Sequence, residues 1–106
     1  MKSGLMGAVL VGCVVLTSPL YAAGDPVAGR EKSGMCAGCH GIDSYRTAYP
    51  EVYSVPKLGG QHEAYIVKAL TAYRSGARNH PSMRGIAGSL SDQDMADLAA
   101  YYAAAK

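Results

Sequence analysis

Five consecutive residues, Cys36-Ala37-Gly38-Cys39-His40, hold the side chains with the most chemistry in the chain. Two thiols three positions apart, followed directly by an imidazole, fit a redox dithiol, half of a zinc site, or the covalent attachment point of a c-type haem. A thioredoxin-like dithiol sits where a strand opens into a helix of a βαβ unit, and no strand pattern precedes Cys36. A structural zinc site needs four ligands, usually in two pairs, whereas the remaining histidines, His62 and His80, are single residues far apart. A disulfide across so short a loop would restrict little unfolded-chain entropy. The haem reading uses every feature. Both thiols add to porphyrin vinyl groups as thioethers, and the residue after the second cysteine is held beneath the iron, where imidazole is a good axial ligand. Cys36 and Cys39 are then the attachment points and His40 the proximal ligand.

The second axial ligand must come from Met35, Met83, Met95, His62 or His80. Met35 is tethered beside Cys36 and cannot reach the other face of the ring. Met95 falls on the buried stripe of a helical pattern, where methionine is ordinary packing. His62 shares the phase of Tyr65 and Tyr73 but fits a boundary residue in the first turn of a helix, and His80 precedes Pro81 in what reads as an exposed loop. Met83 lies in that same Gly-rich stretch, which can approach an iron closely. Met83 is favoured, with His80 next, following the common His/Met ligation of electron-transfer haems.

The elements that must position these residues are few. Lys2, an apolar run from Leu5 to Leu16 and the closing TSPLYAA read as a secretory leader over residues 1–22, cut after Ala22, leaving a domain over 23–106. The run is shorter than the roughly 20 residues a membrane span needs. Leu10-Val11-Gly12-Cys13 has the form of a lipoprotein box, but the apolar run continues through it. Beyond the leader, Asp25 and Pro26 start a helix running toward Cys36. Residues 41–60 show no period and read as irregular loop. Tyr65, Ile66, Ala69, Leu70 and Tyr73 share one helical face, stopped at Gly76. NHPSMRGIAG reads as loop, and Ser91 with Asp94 forms a capping box for a last helix with the stripe Met95, Leu98, Ala99 and Tyr102. The chain has no Trp or Phe and eight Tyr; a small domain with so little aromatic mass needs a staple, and a haem would supply that bulk.

Taken in order, Cys36-x-x-Cys39-His40-Gly41, PKLGGQ, YRSGARNHPSM and LSDQDMADLAAYYA resemble a monohaem class I cytochrome c of bacterial type. They are most similar to the single-haem unit of the cytochrome c4/c5/c553 group, over essentially all of residues 23–106. The resemblance implies an all-α class I cytochrome c fold, with three to four helices packed around one covalently attached haem c. It implies that the His40 ring N–H donates to the backbone carbonyl of Pro56, which orients the ring and raises its basicity. It also makes Met83 the distal ligand, and places Gly60 and Tyr65 close against the haem.

The function implied is single-electron transfer between periplasmic or membrane redox partners, without catalysis, since both axial positions are filled. The partners are redox proteins, with no nucleic acid, and membrane contact comes only through them unless Cys13 carries a lipid. An electron-transfer subunit docked permanently on a periplasmic oxidoreductase is the alternative, followed by a gas sensor in which the Met83 bond yields to carbon monoxide or nitric oxide. The whole chain carries a net charge of +2, too little to steer a partner. Lys57, Lys68, Arg74, Arg78 and Arg84 nevertheless face only Glu63 between positions 57 and 84, and Arg78 with Arg84 would form a positive rim for an acidic partner. Asp92, Asp94 and Asp97 suit the N-terminal end of the last helix dipole.

Overall fold

The computed structural model describes residues 3–4, 7–13, 23–49 and 51–105. Ala22, the expected last residue of the leader, lies outside them. The described residues form five helices: α1 Pro26–Lys32, α2 Gly34–His40, α3 Glu63–Ser75, α4 Pro81–Gly88 and α5 Asp92–Ala104. None of them is long and apolar enough to cross a membrane. Between α2 and α3 the chain is irregular, with a single antiparallel bridge pairing Arg46 and Ser54.

Helix ends follow local chemistry. The Asp25 carboxylate accepts from the Val27 amide, with Pro26 in the first turn where its missing N–H costs nothing. Gly76 closes α3 in the left-handed conformation at φ 84°, which only glycine adopts cheaply. At α5 the Asp94 amide donates to Ser91 Oγ at 3.0 Å and the Ser91 amide donates to Asp94 Oδ2 at 2.9 Å, the reciprocal bonds of a capping box.

Two expectations are corrected. The single helix expected from Pro26 toward Cys36 is divided at Ser33, whose hydroxyl donates to the Arg30 carbonyl at 2.7 Å and competes with the helical ladder, just before Gly34. The stretch expected as a loop around Met83 is largely helix α4. Pro81 stands in its first turn and His80 caps it, while Ala87 is buried and Met83 packs against the core. Met83, Ile86, Ala87 and Leu90 have helical spacing; Gly85 and Gly88, facing open space, obscured that pattern. These two changes turn the expected three to four helices into five.

The core is small: Ile66 and Leu70 from α3, Ala87 and Leu90 from α4 and its exit, and Met95, Leu98 and Ala99 from α5. Helices α4 and α5 therefore both pack against α3, α5 through its expected stripe. On its other side α5 packs against α1 at very close range, because Gly24 and Gly29 let the α1 backbone sit directly on the Ala96 and Asp97 carbonyls. One buried charge among the described residues lies at that seam, at a position expected only to suit the helix dipole. Asp97, 3% exposed, accepts from the Asp25 amide (2.8 Å), Lys32 Nζ (2.6 Å) and Gln93 Nε2 (2.8 Å).

Candidate functional site

Because α1 is clamped to α5, the start of α2 is carried onto the core, and Cys36 packs there half-buried. Burial pushes its thiol above the ordinary value, with a hydrogen bond to Tyr102 acting in the opposite sense. The Tyr102 hydroxyl is itself pushed up, first by burial and then by the neighbouring Cys36. Cys39 is exposed one turn further on, and both cysteines are free thiols. Two half-buried or exposed thiols on one helix, unbonded to each other, remain available for attachment to a third party.

His40 ends α2. Its Nδ1 lies 2.6 Å from the carbonyl oxygen of Pro56. A carbonyl can only accept, so Nδ1 carries the proton and donates, leaving Nε2 with a free lone pair. A neutral imidazole held in this tautomer is how metal-binding histidines are oriented. Pro56 is supplied by the irregular 41–60 segment, which the Tyr45 carbonyl's bond from the Val55 amide (2.9 Å) folds back on itself.

A cleft of about 690 Å³ opens over the core, within the size range of cofactor sites. It is lined by Cys36, Cys39, His40 and Pro56, by Tyr65, Ile66, Ala69, Leu70 and Tyr73 of α3, and by Met83 and Ile86 of α4. The whole expected face of α3 thus looks into the cleft. Tyr65 lines the cleft while remaining about half exposed, at 51%. All five expected site residues are brought to this one cleft. Of the candidates set aside as distal ligand, Met35 and His80 also line the cleft, whereas Met95 and His62 do not. Met95 is 1% exposed in the core, with its sulfur accepting from Thr71 Oγ1 at 3.7 Å, and His62 is an exposed residue preceding α3. Gly60, expected near the cofactor, is not among the lining residues; it adopts φ 81°, and its amide donates to the Tyr102 carbonyl at 2.9 Å.

His80 was expected to be exposed; it is partly buried in the cleft wall between two tyrosine rings. Tyr53, which shares that wall, carried no sequence signal because it lies in a segment without periodicity. Of the basic residues, Lys57 and Arg78 line the cleft, Arg74 is held by Asp92 at 2.7 Å, and Arg84 packs beside Gly76. Among the described residues no three of His, Cys, Asp and Glu converge as a metal-binding group. The donor set is two free thiols, an imidazole with one free nitrogen and a thioether, around an apolar cleft. It fits a covalently attached haem.

A family model described as cytochrome c matches residues 28–105. Cytochrome c4 of Pseudomonas aeruginosa is 43% identical over 91 residues, covering 86% of this chain and 43% of that protein. Cytochrome c-554(548) of Halomonas halodenitrificans is 45% identical over 83 residues, covering 76% of this chain and 95% of that one. A crystal structure of reduced recombinant cytochrome c4 from Pseudomonas stutzeri superposes with a TM-score of 0.57 at 32% identity, covering 79% of this chain and 51% of the other. The chain therefore spans about half the length of the cytochrome c4 relatives it matches.

Proposed function

The chain belongs to the cytochrome c family, and from that premise we propose that it is a single-electron carrier holding one haem c between redox partners. The observation that carries the reading is the convergence of Cys36, Cys39, His40 and Met83 on one apolar cleft, with the His40 Nδ1–H tied to Pro56 and its Nε2 free. When bound, haem c supplies a reversible one-electron iron couple. Cys36 and Cys39 would hold it as thioethers. His40 would offer its Nε2 to the iron, in an orientation and basicity set by the Pro56 carbonyl. Met83 would supply its sulfur as the second protein ligand.

With His40 and Met83 both committed to the iron, the protein would leave no coordination site for a substrate, which favours a carrier over an enzyme or a gas sensor. The apolar side chains of α3 and α4 that line the cleft would keep water from the ring, and an edge left at the cleft's mouth would serve for electron exit. The leader-like residues 1–22 support export to the periplasm, with redox proteins as partners; a lipid on Cys13 would add membrane attachment.

The ligand assignment is tested by the weak long-wavelength absorption of ferric haem with methionine bound. Met83→Ala is expected to abolish the band, and Met95→Ala to keep it while costing about 2–5 kcal/mol of stability through a core cavity. A band that survives Met83→Ala would overturn the assignment. Carbon monoxide is expected to leave the reduced protein's spectrum unchanged; a shift would favour a sensor.

A further inference from the structure

Helix α4 has little intrinsic reason to form. Its eight residues, PSMRGIAG, include two glycines, among the poorest helix formers, and two turns are far fewer than an isolated helix needs. Packing of Ala87 and Met83 on the core accounts for part of its order. The rest falls to its N-terminal cap, and that cap is uncommon. Ser, Thr, Asp and Asn lead at this position; here an imidazole takes their place. His80 is extended, at φ −152° and ψ 108°, and its Nδ1 accepts from the Met83 amide at 3.4 Å. Accepting at Nδ1 requires a neutral ring with its proton on Nε2.

The imidazole is itself fixed from two directions. The Tyr53 ring lies 4.2 Å away between centroids and is tilted by 44°, while Tyr73 meets it edge-on at 6.4 Å. Arg78 in turn covers the Tyr73 ring, its guanidinium 4.5 Å from the centroid. The loop between α2 and α3, helix α3 and the start of α4 therefore all meet at one imidazole. The bond that this imidazole makes ends on the backbone of the residue whose sulfur is read as the distal ligand.

We infer that His80 is a positioning residue for Met83: by capping α4 within the Tyr53–Tyr73 wall, it holds the helix's first turn, and with it the thioether, at the cleft. The inference rests on the reading of Met83 as distal ligand. Without the cap the first turn frays, and the methionine–iron bond must then also order that turn. An external ligand competes more successfully as a result, because the competent backbone is populated for only part of the time.

The test is imidazole titration of the ferric holoprotein, following loss of the methionine band in wild type, His80→Ala, His80→Asn and His80→Phe. His80→Ala is expected to raise the apparent imidazole affinity about fivefold, the effect of one lost cap. Asn, a strong capping residue, is expected to return it to within about twofold of wild type, and Phe, a ring without an acceptor, to behave like Ala. Equal affinities in wild type, Ala and Asn would overturn the positioning role. Rescue by Phe instead of Asn would assign the effect to ring packing and equally overturn the cap. A wild-type protein lacking the band overturns the ligand reading itself, an outcome distinct from the other two.

Discussion

The same ring nitrogen is used in opposite senses by two histidines of the cleft. Nδ1 of His40 donates to the Pro56 carbonyl, while Nδ1 of His80 accepts from the Met83 amide. The first was expected only through the resemblance to class I cytochromes c, which implied the Pro56 carbonyl as partner; the Cys-x-x-Cys-His spacing alone pointed no further than His40 as a ligand. The second was not, because it depends on Tyr53 and Tyr73 arriving from segments distant in the chain. Asp97 was illegible for the same reason. Nothing in LSDQDMADL separates it from Asp92 and Asp94, and its partner Lys32 lies 65 positions away. The Asp25 amide, then Lys32, then Gln93 hold its carboxyl down at about 2, against an ordinary 3.8. A folded-state value below the unfolded one means that this group stabilises the fold above about pH 4, and that the contribution disappears as pH falls toward 2. Asp97→Asn is accordingly expected to lower stability at neutral pH and to flatten its fall between about pH 4 and pH 2 in denaturant titrations. An unchanged acid slope would show that these bonds do not couple to folding.

Helices α3 and α5 were readable because burial and boundary signals agree in them: a one-sided apolar face with Gly76 as stop, and a capping box leading a stripe that ends on Tyr102. Helix α4 failed to show because its glycines lower helix propensity while its cap is an imidazole that no capping rule selects. The crossing of α1 on α5 was also hidden, since a glycine's role in close approach appears only once the facing backbone is known. A Cβ at Gly29 would be driven into the Asp97 carbonyl, whereas one at Gly85 would meet open space. The same substitution should therefore have opposite signs at the two sites. Gly29→Ala is expected to destabilise by about 1–3 kcal/mol, despite alanine's better helix propensity, and Gly85→Ala to stabilise by up to about 1 kcal/mol. Thermal or denaturant unfolding of the two variants measures both; a stabilising Gly29→Ala would mean that α1 does not lie tightly on α5.

At the scale of the molecule, seven buried apolar residues form the core beside a cleft of about 690 Å³, so much of the apolar surface that holds the helices together faces the cofactor rather than other side chains. The basic groups reorganise at this scale too. Of the two arginines expected at the rim, Arg78 lines the cleft together with Lys57, while Arg84 lies beside Gly76 and is not among the lining residues. Charges at a rim act on association rate and weaken as salt shortens the screening length. Lys57→Glu/Arg78→Glu is expected to slow electron transfer with an acidic redox partner at low salt, to converge with wild type at high salt, and to leave the haem spectrum unaltered. A bimolecular rate identical to wild type at every ionic strength would leave docking to apolar contact around the cleft. All of this depends on Cys36 and Cys39 holding one haem, and the intact mass of the purified protein after acid–acetone extraction and thiol alkylation tests that most directly. The expected result is one chain plus one haem, with neither cysteine alkylated. A haem-free chain alkylated at both Cys36 and Cys39 would contradict it.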